Sequence, residues 1–295
     1  MTLTQIAIWG VLIFTVMGLL FGMALAATAR KFHVPNNPVV DEVRGSLPSA
    51  NCGACGYAGC GAYADAVVEQ EKVSPGLCTP GGKDVANRVA QLTGKAASEV
   101  AERIAVLRCE GREGTAALQA QYLGIDRCAA ANLAFAGPKA CKSGCLGFGD
   151  CVSACPFDAI EIGSSGIAEV RDERCTGCGR CVNMCPKDVL ELVPRDCRVF
   201  IGCKIPNQKA TEVRSACAVG CVACRRCVKA CPAAAIEWTG NTLLVNHQKC
   251  IAYGQGCNEV CLAVCTVHIL HRKKVEAARH FTTHEGAPEA LASAL

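Results

Sequence analysis

The stretch from Cys175 to Pro186 reads Cys-Thr-Gly-Cys-Gly-Arg-Cys-Val-Asn-Met-Cys-Pro, and it limits what the chain can become more than any other segment. Its spacing, Cys-x2-Cys-x2-Cys-x3-Cys-Pro, is one that holds [4Fe–4S] clusters. Three closely spaced thiolates in one loop wrap three corners of a cube, while the fourth points away to a neighbouring cube. Gly177 and Gly179 let the backbone come close to sulfide and aim N–H groups at it, which stabilises an anionic cluster. Pro186 fixes φ just after the last ligand, and Val189-Leu190-Glu191-Leu192-Val193 reads as a strand. Zinc, the other metal that takes such thiols, closes with four ligands and has no use for this grouping.

The chain has 295 residues, enough for two or three domains, and 25 cysteines. That density approaches the level of short secreted disulfide proteins, but the spacing argues against covalent pairing. Adjacent Cys-x2-Cys and Cys-x3-Cys sets are poor disulfide partners and good metal cradles. Assembly on iron needs reduced thiols, so the body belongs in a reducing compartment. Aromatics are only 5%, so bound clusters must supply much of the folding energy that a large aromatic core would give. A net charge of +4 gives no case for nucleic acid. The block Arg272-Lys273-Lys274 reads as a solvated helix end.

From Cys141 the sequence repeats. Cys141-x3-Cys145-x5-Cys151-x3-Cys155-Pro156 precedes the opening motif, Cys221-x2-Cys224-x2-Cys227-x3-Cys231-Pro232 repeats it, and Cys250-x6-Cys257-x3-Cys261-x3-Cys265 is a stretched last copy. A short apolar piece follows each final cysteine: Ala159–Ile162, Val189–Leu192, Ala235–Trp238, and Ile269-Leu270. Four half-units make two bacterial-ferredoxin-like modules, each of two small β-hairpin elements and two short helices around two clusters. The crossing rule groups Cys141, Cys145 and Cys151 with Cys185, and Cys175, Cys178 and Cys181 with Cys155. It likewise groups Cys221, Cys224 and Cys227 with Cys265, and Cys250, Cys257 and Cys261 with Cys231. The last set is irregular, with an enlarged loop and Thr266 in place of proline.

Residues Ile6 to Ala27 are almost purely apolar. About 22 residues span about 33 Å as helix, enough to cross a hydrocarbon core. Arg30 and Lys31 follow at once, which places the C-terminal side in the cytoplasm. A signal peptide is the alternative, since Ala24-Leu25-Ala26 resembles a cleavage site, but there is no basic n-region and the apolar run is long. Val34-Pro35-Asn36-Asn37-Pro38 then reads as a stiff linker. Cys52, Cys55 and Cys60, interleaved with glycine, form a cluster loop whose natural fourth ligand is Cys78, with Ala62 to Lys72 a short helix between. Asp84 to Leu107 is expected to be helical, Ser98 capping Glu99 to Leu107, and Ala116 to Leu123 is a second amphipathic stretch. Val275 to His280 reads as a short helix before an Ala-rich tail. Twenty cysteines fill five sets. Cys109, Cys128, Cys197, Cys203 and Cys217 remain, and with no ligand loop among them they are expected as buried structural thiols, a sixth cluster being left open.

The expected fold is therefore α+β: a transmembrane anchor at 1–31, a small 4Fe-4S loop domain at 32–83 and a helical connecting region at 84–137. Two tandem ferredoxin-like modules follow at 138–195 and 196–270, and a tail at 271–295. No phosphate-binding GxxxxGK[ST] loop, Rossmann fingerprint or Cys-x-x-Cys-His is present, and the six histidines are scattered. The chain has no catalytic site of its own, so electrons enter and leave through partners. The anchor, the Asn51-Cys52-Gly53-Ala54-Cys55-Gly56-Tyr57 loop with Cys78, and the tandem modules resemble the Rnf complex B-subunit family, in its longer form with the Gly144-to-Cys151 segment. The resemblance implies a component of an ion-translocating ferredoxin:NAD oxidoreductase in the bacterial inner membrane. Such a component would exchange electrons with soluble ferredoxin and relay them to other Rnf-type membrane subunits that carry flavin or NAD. Two other readings are a polyferredoxin relay for another membrane redox enzyme and a zinc- or disulfide-held interaction module. Arg225, Arg226 and Lys229, beside a cluster loop, could steer an acidic ferredoxin.

Overall fold

The computed structural model describes residues 3–32, 37–96, 99–100, 102–204, 209–240 and 242–273. The chain divides into two compact units, Met1–Asp41 and Glu42–Leu295. The first is dominated by α1 (Leu3–Lys31), longer than the apolar run alone suggests. Its Ile8–Lys31 portion has a mean hydropathy of 2.3 and is long and apolar enough to cross a membrane. Trp9, Phe14, Phe21 and Leu25 are all exposed, so the helix is apolar around its circumference. Thr15 and Thr28 turn their hydroxyls back to the Val11 and Ala24 carbonyls at 2.7 and 3.0 Å, so these hydroxyls are met within the helix, as lipid demands. The following helix α2 (Pro38–Ser46) opens on a proline, with the Asn37 side chain accepting the Val39 amide at 3.0 Å. Linker residues 34–36, Ser98 and the stretch from Lys274 onward lie outside the described residues.

In the second unit, α3 (Cys60–Glu69) and α4 (Gly82–Thr93) flank the loop that ends at Cys78. Lys95 closes α3 by donating to the Val67, Gln70 and Val73 carbonyls at 2.6, 2.7 and 2.9 Å, where a helix end leaves acceptors unmet. The helix expected over Glu99–Leu107 is instead strand β1 (Arg103–Leu107). Ile104, Ala105 and Val106 are buried in succession, which suits a strand covered on both faces and not a one-faced helix. Nor does Ala116–Leu123 form a helix. Ala116 bridges Cys217 and Leu118 bridges Lys139 in an extended path, so pairing with the body overrides local pattern.

The remaining elements run α5 (Cys128–Leu133), α6 (Asp150–Ser153), β2 (Ile160–Ile162), β3 (Ala168–Val170), α7 (Arg180–Met184), β4 (Leu190–Pro194) and β5 (Val199–Ile201). Then come α8 (Ala210–Ala216), α9 (Arg226–Ala230), β6 (Ile236–Thr239), β7 (Thr242–Val245), α10 (His247–Tyr253), a 3-10 turn (Gly254–Cys257), α11 (Val260–Ala263) and β8 (Leu270–Arg272). Among the described residues the four sheets are antiparallel pairs: β1–β4, β2–β3, β5–β8 and β6–β7. Of these, β2–β3 and β6–β7 are hairpins. In each half the last strand instead pairs with one upstream, so β1, from the stretch expected to be a helical connector, belongs to the first half's sheet.

The fourfold repeat is written in the backbone. Residues two before the third thiol of each copy, Gly149, Gly179, Arg225 and Glu259, have φ of 79°, 78°, 56° and 52°. Each starts the short helix that carries the third thiol and leads to the fourth. Three residues past the last thiol, Asp158, Asp188, Ala234 and His268 again take positive φ, between 45° and 51°. That turn aims the next amide back at sulfur: Ala159, Ala235 and Ile269 donate to Cys155, Cys231 and Cys265, each at 3.4 Å. The cores are small. Ile104, Ile160, Ile167, Val189 and Val193 pack among cysteines in one half, and Val199, Ile201, Ile236, Leu243 and Ile269 in the other.

Candidate metal centres

The first quartet is Cys52, Cys55, Cys60 and Cys78. Burial pushes the Cys78 thiol up to about 12, and the thiols of Cys60, Cys52 and Cys55 beside it push the same way. Asn51 shapes the loop by accepting the Cys60 amide at 2.9 Å, and its Oδ1 would stand only 2.8 Å from a Cβ at Gly59, so that position has room for no side chain. The loop reaches the body through Cys52, whose thiol shares a hydrogen bond with that of Cys178; the bond pushes Cys52 down and Cys178 up. This quartet therefore abuts the next.

That next set is Cys155, Cys175, Cys178 and Cys181. Burial raises Cys181 to about 12, with Cys175 and Cys155 adding to it. Ala105 of β1 donates its amide to Cys175 at 3.4 Å. Gly177, at φ 68°, brings its loop so near β1 that a Cβ would lie 2.3 Å from the Arg103 carbonyl oxygen. In the second half, Cys221, Cys224, Cys227 and Cys265 come together, as do Cys231, Cys250, Cys257 and Cys261. Burial raises Cys227 and Cys261 to about 11 each. The irregular last copy thus brings its four thiols together despite the long loop. Arg198 holds that loop, donating to the Gly254 carbonyl and to Cys257 Sγ at 3.6 Å.

The remaining grouping differs from expectation. Cys141 does not join Cys145, Cys151 and Cys185. Burial raises the Cys141 thiol, and the neighbours that add to the shift are Cys109 and Cys217. Cys128 stands in its place: it lines one cavity with Cys145, Cys151 and Cys185, and it helps raise Cys151, pushed up mainly by burial to about 12. The buried Asp150 carboxylate makes this so. It accepts Arg127 Nε at 2.9 Å and the Ala129 amide at 3.0 Å, pinning the start of α5 and with it Cys128. The signal was present in the spacing, because regular Cys-x2-Cys-x2-Cys pitch would put a thiol at 148, where the chain has Phe148.

None of the 25 cysteines is in a disulfide. The thiols stand around voids instead, with amides aimed at several sulfurs. That donor set suits a four-iron cube bound by four thiolates, and no two of the thiols are closed as a covalent staple.

Comparison with known proteins agrees with the geometry. The Fe-S cluster family matches residues 47–80 and the 4Fe-4S dicluster domain family residues 140–192. The chain is 49% identical over 254 residues to the B subunit of the proton-translocating ferredoxin:NAD(+) oxidoreductase complex of Clostridium ljungdahlii, covering 86% of this chain and 88% of that one. It is 39% identical over 235 residues to the Na(+)-translocating counterpart of Acetobacterium woodii, covering 80% and 70%. With the B subunit of the ion-translocating oxidoreductase complex of Methanosarcina acetivorans it shares 35% over 249 residues, 84% and 92% of the two chains. Two matched iron–sulfur families and relatives this similar along most of their length place the chain in the B-subunit family of ion-translocating, Rnf-type oxidoreductase complexes, as an iron–sulfur electron-transfer protein.

Proposed function

We propose that the chain is the membrane-tethered electron port of an ion-translocating ferredoxin:NAD oxidoreductase, exchanging electrons with soluble ferredoxin and passing them to the flavin- or NAD-bearing subunits. The observation that carries this reading is contiguity: the Cys52 loop touches the Cys175–Cys185 loop through the Cys52–Cys178 contact, so these two quartets adjoin. In this reading residues 138–195, completed by β1, and 196–270 are tandem ferredoxin-like modules. The ligands are Cys52, Cys55, Cys60 and Cys78; Cys155, Cys175, Cys178 and Cys181; Cys128, Cys145, Cys151 and Cys185; Cys221, Cys224, Cys227 and Cys265; and Cys231, Cys250, Cys257 and Cys261. The clusters supply one-electron redox change with little motion. The chain supplies thiolates, the amides that bond them and the apolar shell that sets potential.

Cys224 is the one exposed cysteine among the described residues, and Arg225 and Arg226 beside it are exposed as well, with Lys229 one helical turn on. A cluster edge at the surface ringed by cations is where an acidic ferredoxin docks. The anchor spans the bacterial inner membrane once, with Arg30 and Lys31 holding the cluster body on the cytoplasmic side. The deciding experiment is anaerobic purification with iron and sulfide counting, followed by titration with reduced ferredoxin under EPR. Several [4Fe–4S] signals that ferredoxin reduces are expected. A folded, colourless, iron-free chain would overturn the reading.

A further inference from the structure

A further set of thiols meets where the two halves join. Cys109 lies just past β1 and Cys203 just past β5, and the two form an antiparallel β-bridge. Cys141 and Cys217 each precede the first thiol of a repeat, in the matching sequences Cys141-Lys-Ser-Gly144-Cys145 and Cys217-Ala-Val-Gly220-Cys221. All four line one cavity, as the thiols of the Cys128 quartet and of the Cys231 quartet each line one.

The amides repeat the same design in both halves. The Cys145 N–H donates to Cys109 Sγ at 3.2 Å, and the Cys221 N–H donates to Cys203 Sγ at 3.5 Å. A third, from Gly111, reaches Cys109 Sγ at 3.4 Å. Two buried cations face the void. The Lys139 ammonium is held on the Gly111 carbonyl at 2.7 Å. The Arg108 guanidinium pairs with Glu191 at 3.0 Å and reaches the Leu243 and Cys203 carbonyls at 2.8 and 3.4 Å. A buried ammonium such as that of Lys139 gains little beside neutral thiols, but beside an anionic cluster it is compensated.

We propose that Cys109, Cys141, Cys203 and Cys217 ligate a sixth [4Fe–4S] cluster, two thiolates from each half, which joins the two modules into one relay. The inference rests on the iron–sulfur reading above and extends it. On loading, the four thiols release their protons to solvent and bind iron as thiolates. A cluster held there would supply one-electron exchange between the Cys221 and Cys145 quartets, whose loop thiols Cys221 and Cys145 follow Cys217 and Cys141 by four residues, with no bond made or broken.

The test uses the full chain, purified anaerobically, as wild type and as Cys217→Ser, Cys203→Ser and Cys197→Ser. The first two are expected to lose about four irons and four sulfides per chain and one reduced-state EPR signal, or to show a three-iron remnant when oxidised. Cys197→Ser keeps the full complement. If one variant fails to fold, Cys109→Ser and Cys141→Ser give the same measurement. Undiminished iron and unchanged spectra in the folded variants would overturn the sixth site and leave the other five standing. An iron-free wild type would instead remove the parent reading.

Discussion

The two halves of the body solve one problem with different residues. At the position that opens each short thiol-bearing helix, the first half has Gly149 and Gly179, for which a left-handed backbone carries no penalty. The second half has Arg225 and Glu259 in the same conformation, which costs a residue with a Cβ roughly 1–2 kcal/mol. There, side-chain contacts offset the strain. Arg225 stacks over Trp238 at 4.8 Å from the ring centroid, and Glu259 pairs with Arg198 and Arg272 at 3.4 and 2.5 Å. Where the second half keeps regular thiol spacing through Cys224, the first has Phe148 and borrows Cys128 from a helix held by Asp150. The first half thus keeps an easy backbone and imports a ligand. The second keeps its ligand and holds a costly backbone with charges.

The sharpest way to break this comparison is at the borrowed ligand. Cys128→Ser should lose about four irons per chain, while Phe148→Cys in that background restores the regular spacing and the iron. Failure of the rescue, or retention of iron by Cys128→Ser, would mean Cys128 is not standing in for a thiol at 148. Next in size is the clamp. Asp150→Ala removes a buried, charge-assisted contact and should cost about 2–3 kcal/mol, read as a lower melting temperature with iron loss confined to the first half. Charge reversal at Arg225 and Arg226 to Glu probes the second half's exposed edge. Ferredoxin-driven reduction should slow about tenfold at low salt and recover as salt screens the field. Smaller again is the backbone contrast. Gly149→Ala meets only ordinary contacts, so its expected cost of about 1 kcal/mol is conformational, whereas Arg225→Gly trades strain relief against a lost ring contact and should come out near neutral.

At neutral pH the smallest effect concerns Cys197, which belongs to no quartet and is protonated there whether the chain is folded or not. Burial raises its thiol from 9.0 to about 11. A thiol whose folded value lies above its unfolded one favours the native state below pH 9.0 and loses that contribution as pH climbs through 11. Cys197→Ala should therefore flatten the alkaline limb of a stability profile without changing the iron count.

Much of this is legible in the chain. Four repeats, the loop at Cys52, the apolar anchor and the strand after Cys185 follow from spacing and hydropathy, because ligand loops and spanning helices are local. What escapes is non-local. Strand β1 reads as helical because its partner, β4, begins 83 residues downstream of its last residue, Leu107↔Leu190. Cys128 reads as inert because Asp150, which places it, lies 22 residues away in a different element. Cys109 and Cys203 read as solitary because the bridge that unites them joins the two halves. Spacing shows thiols that share a loop and hides thiols that share only a cavity.

The junction void has a consequence for biogenesis. Its thiols come from four separate segments, the last at Cys217, so during synthesis the site cannot close until Cys217 and the residues around it have left the ribosome. The Cys155–Cys181 and Cys128–Cys185 sets are complete earlier. Iron delivered late would then act as a proofreading step, welding only those chains in which the two halves have already found one another.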